Sequence, residues 1–325
     1  MRRRDFITVL GGAAAWPIAA RAQHNARVAK VGFLYPGPQQ ASVPRIATIL
    51  RGLNAAGYHA PEQVQLVSRV ADQNPTRLSP MAAELIENKV DAVVAVSTAA
   101  IRMVQSASAT VPIVGHDLET DPVAIGLIES YARPGGNVTG VFFDFPEFRT
   151  KWLELLKEVI PTVSNVALLW DPISGQAQLN AVKAAADELG LEAQTIEVRA
   201  PTEFDRAFLA VERQGAGALI VLSSPLFGSV SDQLADLALR HRMPTVTLFP
   251  DFARAGGLMA YGPNLLDTYR PLGVLIGKIL QGAKPGDLPV ERPSKFELVV
   301  NVRTARAIGL AVPTTILLRA DEVIE

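Results

Sequence analysis

Short, almost unbroken apolar runs alternate with helical periodicity along most of this chain. The first run, Ala29–Tyr35, ends at Pro36, and residues 44–56 follow with apolar side chains at helical spacing: Ile46, Ile49, Leu50 and Leu53. The same alternation predicts strands over Val64–Val70, Asp91–Ser97 and Val111–His116, with a helix over Thr76–Glu87. Because strands that are apolar throughout are covered on both faces, the pattern predicts parallel sheets between layers of helices.

The second half of the chain repeats the order of the first. Three strand-like segments recur between 126 and 135 residues later, and they are Asn165–Trp170, Gly217–Pro225 and Met243–Phe249. A repeat of this length is far longer than the period of a solenoid. It predicts an α/β protein of two doubly wound, Rossmann-like lobes.

The chain is predicted to cross between the two lobes several times. Val138–Asp144 and Glu297–Val302 are the strand-like segments expected at these crossings. The predicted boundaries are residues 26–141 with 250–283 for the first lobe, and residues 142–249 with 296–325 for the second. Ligands of open α/β sheets bind beyond the carboxyl ends of the strands. Two such lobes on a multi-strand hinge therefore predict a ligand cleft.

The first 22 residues have the pattern of an export signal. Arg2, Arg3 and Arg4 precede a mostly apolar stretch, Phe6–Ala20, and Ala20-Arg21-Ala22 fits a signal-peptidase site. The start is similar to a twin-arginine signal, and an ordinary secretory signal remains the alternative. The apolar stretch is shorter than the ~20 residues that span a bilayer. We therefore expect a soluble periplasmic protein without a lipid anchor.

Composition and motifs narrow the classes of function. Lys and Arg number 31 against 32 Asp and Glu, and no basic cluster follows the first residues, so nucleic-acid binding is not expected. The absence of Cys excludes disulfides and Cys-ligated metals. Nucleophile-elbow, Walker A and His-Glu-x-x-His motifs are all missing. We expect no catalysis, no cofactor and no metal.

Polar residues at predicted strand ends are the candidates for ligand binding. Ser97 and Thr98 end a strand where a helix begins, so their hydroxyls and amides suit a carboxylate, although plain helix capping is an equal alternative. Ser223 and Ser224 are their counterparts in the second half. Other polar candidates follow strands or open the second lobe, and they are Asp117, Asp121, Asp171 and Ser174. Helix capping is again the alternative for these carboxylates.

Aromatic residues at the same places are candidate walls of the site. Tyr35 and Phe249 each end a predicted strand, and Phe143 lies near the first predicted crossing. Because strand side chains alternate between faces, about half of these rings are expected in the core.

Several motifs resemble the ABC-transporter substrate-binding protein family that includes TrpX-like binding proteins. The match rests on Thr120-Asp121-Pro122, Ile279–Gly282, Phe296–Asn301, Thr304-Ala305 and, most specifically, Pro134–Gly140. The resemblance implies a type I periplasmic-binding-protein architecture, a small solute such as an amino acid or aromatic acid, and delivery to an ABC permease by a monomeric protein. One departure is Ser223-Ser224-Pro225, where the family commonly has a Thr-Asp-Asn-like segment. The solute is then either a carboxylate without an amine, or an amino acid whose ammonium pairs with Asp171, Asp117 or Asp251.

Two other functions remain open from the sequence. An exported α/β hydrolase or isomerase would use Asp117 and His116, and a sensory protein would present its ligand to a membrane receptor. A sensory protein of this kind has the same fold and hinge as a transport protein, so no sequence pattern distinguishes a sensory role from a transport role.

Overall fold

A computed structural model describes residues 27–143 and 146–325 of the chain. The predicted export signal, and Asp144 at the first predicted crossing, lie outside the described residues. Within them no helix is long and apolar enough to cross a membrane.

The first sheet has five strands in the order β2-β1-β3-β4-β5, and all of its neighbours run parallel. The strands are β1 (Ala29–Tyr35), β2 (Val64–Val70), β3 (Ala92–Val96), β4 (Ile113–Asp117) and β5 (Val138–Phe142). Strands β3, β4 and β5 are buried along their whole length. This matches the predicted double covering by helices.

Helices from distant parts of the chain cover this sheet. They are α1 (Gln39–Ala55), α2 (Leu78–Glu87), α3 (Thr98–Ala107) and α9 (Arg270–Leu280). The last of these packs closely on α1. A Cβ atom at Gly52 would lie only 2.1 Å from the Arg270 carbonyl oxygen, and one at Gly273 only 2.0 Å from that of Ile49. Glycine at both positions allows the two backbones to approach each other.

The second sheet has seven strands in the order β12-β11-β10-β9-β8-β6-β7. Its strands are β6 (Asn165–Trp170), β7 (Glu192–Glu197), β8 (Ala218–Val221), β9 (Thr245–Thr247), β10 (Met259–Gly262), β11 (Glu297–Asn301) and β12 (Glu322–Ile324). All neighbours run parallel except β10 and β11, which are antiparallel.

The remaining helices belong to the second sheet. They are α4 (Pro146–Val159), α5 (Ala177–Glu188), α6 (Phe204–Arg213), α7 (Ser231–Arg240), α8 (Pro250–Arg254), α10 (Val302–Ile308) and α11 (Thr314–Leu317). Helices α4 and α5 contribute to one apolar cluster, while α6 and α7 contribute to another with the opposite side chains of β6 and β8. The sheet is therefore covered on both faces.

The connections between the sheets correct two predictions. Residues 250–283 are predicted to belong to the first lobe, but α8 and β10 lie with the second sheet, whereas α9 and the turn Asp267–Tyr269 before it pack on the first. Val138–Asp144 and Glu297–Val302 were predicted as crossings, but β5 and β11 are members of the two sheets themselves. Among the described residues the chain passes between the sheets after β5, before α9 and before β11. Each lobe is therefore one of the two sheets together with the helices packed on it.

The last of these connections runs along the edge of the first sheet. Glu291 donates its backbone N–H to Gly140 at 2.9 Å and accepts the N–H of Phe142 at 3.1 Å. The hydroxyl of Thr139 donates to the Leu288 carbonyl at 2.9 Å. Strand β5 and this returning segment thus form a two-stranded connection between the lobes.

Candidate functional site

The carboxyl ends of strands from both lobes border one cleft. Three cavities lie along it, and each is lined by residues of both lobes. The proline cavity, of about 440 Å³, is lined by Pro36, Gly37, Gln73 and Pro75 of the first lobe and by Asp171, Pro172, Ile173, Arg199, Pro225 and Leu226 of the second. The helix-end cavity, of about 370 Å³, lies between the first turn of α3 and the segment Ile173–Ala177.

The central cavity is the smallest of the three, at about 20 Å³. Its first-lobe wall is formed by Arg45, Val96, His116, Leu118, Glu119 and Tyr269, and the opposite wall by Ser224, Pro225, Phe249 and Leu265. Cationic, acidic and aromatic side chains thus converge between the lobes.

A hydrogen bond between Glu119 and Ser223 joins the two lobes inside the cleft. The Ser223 hydroxyl donates to Oε1 of Glu119 at 2.6 Å. Gln178 on α5 holds Ser223 in place, because its Oε1 accepts the Ser223 N–H at 2.7 Å and its Nε2 donates to the Ser223 carbonyl at 3.0 Å. Burial, and then the nearby Asp117 carboxylate, raise the pKa of Glu119 well above its usual range. Without a cation beside it, Glu119 therefore favours the protonated form when the lobes are closed.

The α3 N-terminus already binds a carboxylate of the chain itself. Both the backbone N–H and the hydroxyl of Thr98 donate to Oδ2 of Asp117, while the Ser97 hydroxyl accepts the N–H of Ala100 at 3.4 Å. Ser97 has a left-handed φ of 81°, which turns the chain from β3 into α3. These contacts differ from the prediction that Ser97 and Thr98 receive a solute carboxylate, because Asp117 fills that position.

Arg45 is the buried cation of the cleft. It lies on the inner face of α1 and is only 3% exposed. Its Nε donates to the Tyr269 hydroxyl at 3.1 Å and its Nη1 to the Ala41 carbonyl at 2.6 Å. The guanidinium carbon lies 5.1 Å from the centre of the Tyr35 ring and 5.5 Å from that of Tyr269, within the range of cation–π attraction.

His116 is neutral and has a defined tautomer. The Thr268 hydroxyl donates its single proton to the Leu265 carbonyl at 2.6 Å, so Nε2 of His116 must be the donor in its 2.8 Å contact with Thr268. Burial, and then the nearby Arg45 charge, lower the pKa of His116 to about 3. The ring stacks on Tyr269 with centroids 4.2 Å apart. It therefore forms a fixed aromatic wall of the central cavity.

Asp171 and Ser174 border the cleft on the second lobe. Oδ1 of Asp171 accepts the N–H of Ile173 at 3.0 Å and caps the short helical turn Pro172–Ser174. Burial raises the pKa of Asp171 to about 6, opposed by hydrogen bonds from Ile173 and Ser224. The Ser174 hydroxyl is buried and has no hydrogen-bond partner within the described residues. The structure shows the capping role that the sequence left open for Asp171, and its pairing with a ligand ammonium stays a prediction.

Some of the other predicted site residues line the cleft, and the rest are buried in the fold or stabilise it. Phe249 lines the central cavity, whereas Tyr35 is fully buried beneath Arg45. Phe143 packs on Phe296 with ring centroids 5.6 Å apart. Asp121 accepts the N–H of Val123 at 2.9 Å within a turn after β4, so it stabilises a turn and not a helix end.

The ligand-binding candidates chosen from the sequence include Ser224 and Phe249 but leave out the rest of the central cavity, among them Arg45, Glu119, Leu265 and Tyr269. One signal was present for Arg45. The buried face of α1 carries Ser42, Arg45, Thr48, Ile49, Gly52 and Leu53, so Arg45 lies at helical spacing from Ile49, while Ile46 and Leu50 are only half-buried. Within residues 27–143 and 146–325, no cluster of three side chains suited to a metal is present.

Comparison with known proteins identifies the family. A model for the ABC transporter substrate binding protein family matches residues 40–324. The chain belongs to this family. The resemblance drawn from its motifs is thereby confirmed.

Relatives of this substrate-binding family support the fold. An ABC domain from Streptococcus pneumonia, solved in complex with L-Trp, is 26% identical, with 92% of this chain and 100% of that chain covered and a TM-score of 0.80. A tyrosine-binding protein of Clostridioides difficile (strain R20291) is 23% identical over 266 residues, which are 80% of this chain and 75% of the relative. The leucine-binding protein LivK of Thermotoga maritima is 17% identical over 80% of this chain and 78% of LivK, with a TM-score of 0.51. The predicted type I periplasmic-binding-protein architecture is confirmed.

Proposed function

We propose that this protein is the periplasmic solute-binding component of an ABC importer and that its solute is an amino acid with a large apolar or aromatic side chain. The observation that carries the proposal is the cleft itself, where polar and aromatic side chains of both lobes meet around the central cavity. The relatives named for tyrosine and for an L-Trp complex support the solute class.

Closure of the lobes is the step that retains the solute. In this closed arrangement Ser223 reaches Glu119 across the cleft, and no such bond survives if the lobes separate. A solute that contacts both lobes binds the closed form better than the open form, so it shifts the population towards closure. The solute is released to the permease unchanged.

Location and assembly belong to the same proposal. Residues 1–22 direct export, and the protein acts in the periplasm as a soluble monomer that presents its closed form to an ABC permease. The second lobe has Ser223-Ser224-Pro225 where the family commonly has an Asp-containing segment. The carboxylates that border the cleft cavities are therefore Glu119, Asp117 and Asp171. Of these, Glu119 faces the central cavity. It is our choice for the partner of a solute ammonium.

The test is thermal unfolding of the purified protein with single amino acids, among them L-tyrosine, L-tryptophan, L-phenylalanine and L-leucine. A solute at 100 times its Kd adds about 2.7 kcal/mol to the free energy of unfolding. We expect one of these to stabilise the protein and to be recovered unchanged by mass spectrometry. Consumption of the solute would contradict the proposal, as would the absence of any stabilising amino acid.

A matched pair of serine variants tests the closing contact. Ser223→Ala removes the hydrogen bond to Glu119, and we expect about a 5-fold to 10-fold loss of affinity, the value of one such bond. Ser229→Ala is the control, because the Ser229 hydroxyl bonds only to the Leu226 carbonyl within its own lobe. Delivery to the permease is tested by measuring uptake of the labelled solute in cells with and without the gene for this protein. We expect less uptake in the cells that lack it.

A further inference from the structure

We propose that Arg45 binds the carboxylate of the solute. This inference rests on the proposed function and adds to it the chemical group of the solute that Arg45 recognises. The supporting observation is the environment of the guanidinium. It is buried in the cleft wall and has no acidic partner within the described residues.

A buried cation of this kind requires an anion. Charged side chains are rarely buried unless they are paired, because removing a charge from water costs several kcal/mol. The partners of Arg45 are a tyrosine hydroxyl, a backbone carbonyl and two aromatic rings. Asp251, the carboxylate that acts on Arg45 through space, forms its ion pair with Arg254 instead. The positive charge is therefore only partly compensated.

The donors of Arg45 are also incompletely used. Nε and Nη1 each donate one hydrogen bond, and Nη2 has no acceptor within the part of the chain that the structure describes. Because Arg45 lines the central cavity, we infer that the edge of the guanidinium without an acceptor faces the space between the lobes. A carboxylate is the group that such a planar, multi-donor edge recognises best.

The other group of donors in the cleft that could bind a carboxylate, the N-terminus of α3, is already occupied by Asp117. The N–H and hydroxyl of Thr98 are directed to Asp117, so the positive end of α3 already has its carboxylate. Two other arginines line the cleft cavities, but both are exposed: Arg199 pairs with Glu197, and Arg102 donates to the Ile125 carbonyl. Arg45 is therefore the buried cation of the cleft that has no anion among the described residues.

The sizes of the cavities define how the solute lies. The central cavity, at about 20 Å³, is close to the space of one water, which is roughly 10–15 Å³ on this measure, so of the solute it admits the carboxylate alone. The ammonium then lies at the border of the central cavity, where Glu119 also lines the helix-end cavity. The proline cavity, at about 440 Å³, shares Pro225 with it and is walled mostly by apolar side chains. We infer that the carboxylate enters the central cavity at Arg45 and that the apolar body of the solute fills the proline cavity.

The experiment measures binding to two variants of the same helix. Arg45→Met removes the charge and retains much of the side-chain volume, and Arg45→Lys retains the charge without the planar edge. Arg51→Gln is the matched control, because Arg51 lies on the exposed face of α1 and donates to Thr48 outside the cleft. Unfolding of each variant without solute checks that the lobes are intact.

The probes separate the carboxylate from the rest of the solute. They are L-tyrosine and L-tryptophan, the amides L-tyrosinamide and L-tryptophanamide, and the amine-free 3-(4-hydroxyphenyl)propanoate. We expect Arg45→Met to weaken binding of the acids at least 30-fold, equivalent to about 2 kcal/mol, with less than a 3-fold effect on the amides. Arg45→Lys should fall between Arg45→Met and the wild type, and Arg51→Gln should match the wild type.

The remaining outcomes distinguish a failure of the Arg45 proposal from a failure of the proposed solute-binding function. Equal affinity of Arg45→Met and wild type for the acids, or equal losses for acids and amides, overturns the role of Arg45 and leaves the solute-binding function intact. Binding of the propanoate alone, lost in Arg45→Met, supports Arg45 and overturns the amino-acid class. If the wild-type protein binds none of the probes, the proposed solute class is refuted, and the assignment of Arg45 is refuted with it.

Discussion

The protonation of Asp171 makes the stability of the closed molecule depend on pH. Asp171 is 5% exposed, and it lines the proline cavity together with residues of the first lobe. Its pKa is raised from 3.8 to about 6, chiefly by burial. A raised pKa means that the folded state favours the neutral acid. The stabilisation is therefore complete below about pH 4 and is lost as the pH rises through about 6.

The size of the effect is set by the shift. A difference of about two pKa units corresponds to about 3 kcal/mol between the two protonation states. Asp171→Asn removes the titration and retains the cap, because an amide oxygen accepts the Ile173 N–H as the carboxylate does. We expect the stability of Asp171→Asn relative to the wild type to rise by about 3 kcal/mol between about pH 4 and about pH 7.5.

The assay is urea unfolding followed by tryptophan fluorescence at several pH values. Asp121→Asn is the matched control, because Asp121 also precedes a proline and its Oδ1 also accepts the N–H two residues on, in a more exposed place. The control should track the wild type at every pH. A difference between Asp171→Asn and the wild type that stays within about 0.5 kcal/mol over the whole range, the size of an ordinary surface effect, refutes the reasoning.

Two further predictions concern the framework of the first lobe. Gly273→Ala should destabilise the protein by about 2 kcal/mol in urea unfolding, because the new methyl would lie 2.0 Å from the Ile49 carbonyl oxygen and overpacking outweighs the gain in helix propensity. The exposed Lys278→Ala on the same helix should change stability by less than about 0.5 kcal/mol, and equal effects of the two would contradict this. Tyr35→Phe should leave stability unchanged or raise it by up to about 1 kcal/mol, because the Tyr35 hydroxyl is buried without a hydrogen bond within the described residues. A clear loss of thermal stability in this variant would show that the hydroxyl has a partner.

The strands and their order were largely predictable because parallel, doubly covered strands leave a strong apolar signature. Ala29–Tyr35 and Asn165–Trp170 have the same bounds in the structure as in the sequence pattern. The sheet to which Met259–Gly262 belongs was not predictable. Its antiparallel pairing with β11 joins segments separated by a helix that packs on the other lobe, and local periodicity carries no information about such pairing.

The site was predictable where it depends on strand ends. Ser223, Phe249 and Asp171 lie at the cleft because they directly follow strands of the second sheet. Arg45 was missed because a cation within a helix is ordinarily solvated, and only its helical spacing from Ile49 marks the buried face. The interpretation of Ser97 and Thr98 changed because a third residue, Asp117, fills the position expected for a solute.

The late origin of helix α9 has a consequence for how the chain reaches its folded form. The first sheet is complete by residue 142, yet the helix that packs on α1 begins only at residue 270. Until that segment emerges, the part of α1 around Ile49 and Gly52 lacks the helix that packs on it in the folded protein, and most strands of the second sheet are made in the meantime. Contacts this distant in sequence delay folding, since the loop between them must close first. The two lobes are therefore not units that mature one after the other: the first becomes a finished domain only after most of the second has been made.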